Sequence, residues 1–137
     1  MSQMKTVRTA ELIGEVLDLM VAVAIGGERK PYRFASNEDA PMNMAWVFPD
    51  GYAATSWRPS TEWSQGGRLL DQHCKGFGLI QDGKDSTWRA FGYSRHVFDS
   101  ERLQRMASGP SILVAACRAI VAANLGDEVQ IPAELLP

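Results

Sequence analysis

The sequence predicts an α+β fold in a single domain spanning residues 1–137, a small antiparallel sheet of about four strands covered by helices. Three observations support this: an amphipathic helical pattern near the start, a pair of strand–turn–strand patterns in the middle, and an apolar helical pattern near the end. With 45% apolar and 22% charged residues, the chain has the composition of a protein that folds around its own core.

The two terminal helical patterns differ in how much of their surface is apolar. In the first helix, Glu11, Glu15 and Asp18 form a solvated polar stripe opposite an apolar face; the helix is expected to begin at Thr9 as its cap and to end at Gly26-Gly27. The last helix runs from Ile112 to Leu125 after a Ser111 cap and is almost continuously apolar. We therefore expect it to be buried on more than one side.

The strand predictions rest on turn residues. Met44–Phe48 and Tyr52–Ser56 flank Pro49-Asp50-Gly51, and Phe77–Ile80 and Thr87–Tyr93 flank Asp82-Gly83, so each pair predicts a hairpin. The connections are expected to be irregular. They comprise a proline-containing loop over residues 28–41 and one or two helical turns within residues 94–108. After the last helix, a short terminal strand is predicted at Val129–Ile131.

A middle helix is predicted to begin within "STEWSQGG", residues 60–67. Pro59 disfavours helix in the residue before it, after which Ser60 or Thr61 can cap the new helix. Gly66 and Gly67 would then open a notch on the face that carries Trp63, where another backbone could approach. The alternative is a phosphate cradle, supported only by Arg68, since no GxxxxGK[ST] or GxGxxG motif is present.

The same stretch resembles the S-T-D-W-A-Q-G-G signature of the NinX-like proteins of lambdoid phages and prophages, a domain family of unknown function. "ELIGEVLDLMVAVA" is similar to the family's opening helix, and "GPSILVAACRAIVAANLGDEVQIPAEL" resembles its closing segment. Arg68 and Ile112 stand where the family usually has proline. The resemblance marks eight positions as structural or binding residues: Ser60, Thr61, Trp63, Gln65, Gly66, Gly67, Arg118 and Asp127.

The resemblance also carries expectations about fold and setting. It implies a phage or prophage product working in the cytoplasm of the bacterial host, and it supplies no catalytic residue. A likeness to phage α-β-α sandwich domains would place the first and last helices on one face of the sheet and the middle helix on the other.

Composition and spacing weigh against several classes of function. A net charge of −2 and a pI near 5.6 give no overall basic field, and no apolar run is long enough to cross a bilayer. The acidic stripe of the first helix is atypical of a signal peptide. No metal or cofactor is predicted. The available nitrogen and sulfur ligands are His73, Cys74, His96 and Cys117, and their spacing is not that of a zinc site. Cys117 is instead typical of a small buried hydrophobic residue.

The sequence therefore predicts a non-enzymatic accessory protein that binds another macromolecule, either a phage or a host protein, with a homo-oligomer also compatible. The alternative is a single-stranded nucleic-acid-associated protein, because aromatic and basic residues interleave at Trp57, Arg58, Arg89 and Arg95. Arg118, a lone charge in an apolar helix, would either bind an anion or reach solvent or a carboxylate such as Asp127 or Glu128.

Overall fold

The computed structural model describes residues 3–82, 85–98 and 101–136 and contains eight strands and three α-helices in that part of the chain. Short 3₁₀ turns occur at Thr9–Glu11 and Ala133–Leu135. The elements in chain order are β1 (Met4–Arg8), α1 (Gly14–Ala24), β2 (Glu28–Tyr32), β3 (Asn43–Val47), β4 (Ala53–Ala54), α2 (Trp63–His73), β5 (Cys74–Asp82), β6 (Asp85–Phe98), β7 (Glu101–Gly109), α3 (Ile112–Leu125) and β8 (Glu128–Pro132).

The α+β class with antiparallel strands is confirmed, but the strands form three small sheets instead of one. The largest contains β5, β6 and β7 in that order, a second contains β2, β3 and β4, and β1 pairs with β8. This last pair joins the two ends of the described chain, with Met4 opposite Pro132 and Arg8 opposite Glu128.

Helix α3 lies across the β5–β6–β7 sheet, and both α1 and α2 pack against it. The middle helix thus lies beside the last helix, a different arrangement from the one implied by the sandwich resemblance. Alanines in α3 allow a short helix–sheet distance: a β-carbon added to Gly92 of β6 would lie 2.7 Å from the carbonyl carbon of Ala119. The main core lies between α1, α3 and the β3–β4 hairpin, and includes the buried side chains of Leu17, Val21 and Ile120.

Several elements were predicted correctly. Helix α3 begins after Ser111, whose hydroxyl oxygen accepts a hydrogen bond from the Val114 amide at 3.2 Å. The β3–β4 hairpin closes through the Phe48 amide and the Tyr52 carbonyl, 2.9 Å apart. The second hairpin is β5–β6; the Gly83 of its predicted turn lies outside the described residues.

Three sequence predictions were wrong because long-range partners decide the local structure. Thr9 does not cap α1; its hydroxyl donates to the Gly126 carbonyl at 2.7 Å, and the helix begins at Gly14. The loop predicted at 28–41 starts with strand β2, paired with β3. The described part of 94–108 is strand, not helix, because β7 pairs with β6; Ser100 of that prediction lies outside the described residues.

Candidate functional site

The "STEWSQGG" segment does not begin its helix as predicted, because α2 starts at Trp63 and no side chain caps it. Ser60 is buried, and its amide donates to the Asp18 carboxylate at 2.8 Å, which ties the segment to α1. Burial raises the pKa of Asp18, and the hydrogen bonding from Ser60 opposes that shift. Thr61 is exposed. Asp18 is thus a buried structural group and not part of a solvated stripe.

Gln65 fixes the loop that precedes α2. Its side-chain oxygen accepts a hydrogen bond from the Arg58 amide at 2.6 Å, and its side-chain nitrogen donates to the Ser56 carbonyl, also at 2.6 Å. A buried amide that satisfies two backbone groups contributes to a specific loop conformation. The Gln65 side chain therefore links α2 to the backbone of residues 56–60 through two hydrogen bonds.

At Gly66, α2 packs so closely against its neighbours that no side chain can be accommodated. A β-carbon there would overlap the Pro59 carbonyl oxygen and lie 2.8 Å from a methyl carbon of Leu113, whereas one at Gly67 would lie 3.4 Å from the Trp63 ring. The Gly66 amide donates to the Glu62 carbonyl at 2.7 Å and so does not point to an anion. These contacts favour the close-packing interpretation over the phosphate cradle at Gly66, whereas Gly67 has space for a β-carbon.

Arg118 bonds to backbone carbonyls. Its Nε donates to Leu12 at 2.8 Å and its Nη1 to Ser108 at 2.9 Å, so that one guanidinium links α3 to the segment before α1 and to β7. Burial lowers the pKa of this guanidinium. Arg118 also lines a cavity of about 660 Å³ together with Arg8 and Asp127, and the backbone carbonyl of Asp127 accepts a hydrogen bond from Thr9.

The four candidate nucleic-acid contacts lie in different places. Trp57 is 8% exposed, its indole nitrogen donates to the Asp18 carbonyl at 2.9 Å, and its ring packs on Phe48. That ring is a core group without a free face. Arg58 is exposed beside it, Arg89 lies on β6, and Arg95 lines a separate cavity near the end of α1.

One face of the β5–β6–β7 sheet faces away from α3, and we call it the open face. Strand register places Gly76, Phe91 and Met106 side by side on it, followed by Gly78, Arg89 and Ser108. Phe91 is 37% and Met106 50% exposed. Among the described helices, α3 and α2 make most of the contacts with this sheet. Both helices pack on the face opposite the open face, because Ala90 of β6 lies in one buried cluster with Leu70 of α2 and with residues of α3.

Residues typical of catalysis or metal binding are dispersed. Burial raises the pKa of the Cys74 thiol to about 12 and raises that of Cys117 as well, so neither favours a thiolate nucleophile. Within residues 3–82, 85–98 and 101–136, no three His, Cys, Asp or Glu side chains lie close enough together to hold a metal ion. None of the helices in those ranges combines the length and apolar character needed to cross a membrane.

Comparison with protein families shows that residues 8–124 match the family described as Bacteriophage P22, NinX. The chain belongs to the NinX family. The match extends from the end of β1 through α1, α2 and the open face to Asn124 of α3, and it confirms the resemblance first visible in "STEWSQGG". Membership in the NinX family fits a phage accessory protein. No curated protein matches the chain.

Sequence reasoning named Arg89 as a candidate nucleic-acid contact but missed Phe91 and Met106, which the open face brings beside it. Phe91 and Arg89 belonged to a predicted strand, but Met106 was assigned to helical turns, so the three-strand surface could not be anticipated. The alternation of Arg89, Phe91 and Tyr93 along β6 was the available signal, because alternate residues of a strand share a face.

Proposed function

We propose that this NinX-family chain is a non-enzymatic accessory protein of the phage that works in the host cytoplasm and binds another macromolecule through its open face. The observation that carries the proposal is the exposure of Phe91 and Met106 as direct cross-strand neighbours on a sheet face that no described helix covers. Large apolar groups grouped on a surface are typical of binding sites.

The composition of the open face suits contact with a protein. Its centre combines an aromatic ring, a flexible thioether and the Arg89 guanidinium, and aromatic residues, methionine and arginine are the types enriched at interfaces. Gly76 and Gly78 of β5 leave the sides of Phe91 and Arg89 uncovered: a β-carbon on Gly76 would lie 3.7 Å from the Phe91 ring, and one on Gly78 would contact nothing within 4 Å. A partner can therefore reach Phe91, while Arg89 is half-buried beside it with its Nε shielded from solvent.

A non-enzymatic role is supported by how the titratable groups are used. Asp18 accepts a structural hydrogen bond from the Ser60 amide, and Arg118 binds two backbone carbonyls. Cys117 is 1% exposed, which favours packing over catalysis. Catalytic sites usually bring several groups of different type into one cleft.

The test compares affinity capture from infected cells by three proteins: the wild type, a Phe91→Ser/Met106→Ser double variant, and a Phe34→Ser control. Phe34 is 50% exposed and lies in the segment between β2 and β3, which is not part of the β5–β6–β7 sheet. We expect a partner retained by wild type and control to be lost from the double variant, with melting temperatures unchanged. Identical captured proteins from all three would contradict the proposal.

Single-stranded nucleic acid is the second candidate for the same face. Arg89 and Phe91 point to the same side of β6, and the buried Nε of Arg89 has no hydrogen-bond partner in the described part of the chain. A base could stack on the ring while the guanidinium contacts a phosphate. Fluorescence anisotropy with labelled oligonucleotides over a salt series tests this candidate; binding that is weakened by salt and lost in both Arg89→Gln and Phe91→Ser would favour it.

A further inference from the structure

Three arginines from three different secondary-structure elements converge at the end of α2, away from the centre of the open face. Arg68 of α2, Arg95 of β6 and Arg102 of β7 line one cavity of about 310 Å³, together with His73 and Asp50. We call this cavity the arginine cleft. Such a concentration of positive charge is unexpected in a chain whose net charge is −2.

The positive charge of the cleft is only partly neutralised from within. Asp50 is the one carboxylate among the described residues that line the cavity, and it forms an ion pair with Arg68. Neither Arg95 nor Arg102 forms an ion pair within the described part of the chain, although Asp71 and Glu101 line the adjoining cavity beside Arg102. Arg102 is also exposed, so its donors can turn toward a ligand from solvent.

Arg68 is held in position by two contacts, and the Arg95 side chain lies against Gly26. The Arg68 guanidinium lies over the Tyr52 ring, 4.2 Å from its centroid, in addition to its bond with Asp50. The Arg95 guanidinium packs closely against Gly26. A β-carbon on residue 26 would lie only 2.6 Å from the Nη1 of Arg95. Donors fixed in advance lose less entropy on binding than free ones.

His73 lines the same cavity as the arginines and adds a polar group to the cleft. Burial lowers the pKa of its imidazole, and so do the nearby charges of Arg102, Arg68 and Arg95, while Asp50 raises it. Its Nδ1 is buried without a hydrogen-bond partner in the described part of the chain. An anion bound among these groups would counteract the arginines and raise the pKa of His73.

The cleft adjoins a second cavity of about 520 Å³ that shares Gln72, His73 and Arg102 with it. That cavity continues to Lys75 and Tyr93, where the Lys75 ammonium lies 5.5 Å from the centroid of the Tyr93 ring. The second cavity is also lined by Asp71 and Glu101, so an anionic group fits the arginine cleft and a neutral organic group fits the space beside it.

We propose that the arginine cleft binds a phosphate group, carried either by a small molecule such as a nucleotide or by a nucleic-acid strand. Guanidinium groups match the oxygens of phosphate through paired hydrogen bonds, which makes arginine the side chain best suited to this anion. This inference goes beyond the function proposed for the open face and uses different side chains.

The experiment measures binding by isothermal titration at constant ionic strength with three probes: inorganic phosphate, adenosine monophosphate and a short single-stranded DNA. The variants are Arg95→Gln and Arg102→Gln, and the control is Arg105→Gln, an exposed arginine of β7 that does not line the cleft. We expect affinity to fall about tenfold or more in both cleft variants and to stay near wild type in the control.

The three probes separate the sources of the phosphate. Binding of phosphate or of the mononucleotide indicates a small ligand, and binding of DNA alone indicates a strand; both outcomes support the proposal if the cleft variants lose it. Absence of binding by all three probes would overturn it. An equal loss in Arg105→Gln would also overturn it, because that result would indicate diffuse attraction to positive charge.

A second measurement follows the His73 ring by NMR during a pH titration, with and without the probe that binds. We expect the pKa of His73 to rise in the wild type when the probe is present and to stay unchanged in Arg102→Gln. If Arg95→Gln does not fold, Arg102→Gln decides the matter, because the exposed Arg102 side chain is the more easily replaced of the two. A probe that binds without moving the His73 titration would place its site elsewhere.

Discussion

Replacing Gly66 with alanine adds a methyl group at the tightest contact of α2. The new β-carbon would overlap the Pro59 carbonyl oxygen and lie 2.8 Å from a methyl carbon of Leu113, so the helix must move away from its neighbours. Overpacking of this kind costs about 3 kcal/mol at its upper range, and removal of a helical glycine returns about 1 kcal/mol. We therefore expect a net destabilisation of about 2 kcal/mol.

Gly67→Ala is the matched control for this prediction. Its β-carbon would lie 3.4 Å from the Trp63 ring, an ordinary contact, so the helix-propensity gain of up to about 1 kcal/mol should be retained. The two variants should then differ by about 3 kcal/mol in free energy of unfolding, measured by urea denaturation, and by roughly 10 °C in melting temperature. Equal stabilities, or a stabilised Gly66→Ala, would refute the close approach of α2 to the Pro59 carbonyl.

Three further predictions concern packing, polar contacts and pH. Gly92→Ala should lower the free energy of unfolding by about 1 to 3 kcal/mol, because its β-carbon would lie 2.7 Å from the backbone of Ala119; an unchanged urea midpoint would contradict the tight helix–sheet contact. Arg118→Met keeps most of the apolar stem but loses two hydrogen bonds to carbonyls, so we expect a loss of about 2 to 4 kcal/mol by the same assay, and a loss below about 0.5 kcal/mol would contradict the linking role. Because burial raises the pKa of Asp18 above 3.8, the folded state binds its proton more readily, so this residue's contribution to stability should fall as pH rises from about 3.8 through the raised value. Asp18→Asn, which retains an acceptor for the Ser60 amide, should remove that part of the pH dependence; an unchanged pH profile would contradict it.

Local signals in the sequence were sufficient to predict the elements that are flanked by capping or turn residues. Ser111 and Gly126 enclose an apolar run interrupted only by Arg118 and Asn124, and this run forms α3. Pro49-Asp50-Gly51 lies at the turn of the β3–β4 hairpin, where Gly51 has a φ of 92°. In these places the preferred backbone angles and the hydrophobic period agree, so the neighbouring residues alone determine the structure.

The candidate site could not be read in the same way, because its residues meet only through strand pairing and helix packing. Arg68, Arg95 and Arg102 carry no motif, and they line one cavity because α2 lies close to the last residues of β6 and the first residues of β7. Met106 joins Phe91 on the open face because β7 pairs with β6, a pairing that overrides the helical tendency of residues 101–106.

The sequence by itself determined the α+β class, the last helix with its cap, the first hairpin and membership in the NinX family. These depend on contiguous residues whose conformational preferences and patterns are visible in one dimension. The tertiary structure alone decided that the strands form three sheets, that Gly66 and not Gly67 is the position without space for a side chain, and that three arginines share a cleft. Each of these depends on distances between groups far apart in the chain, and such distances are fixed only when the helices and sheets pack together.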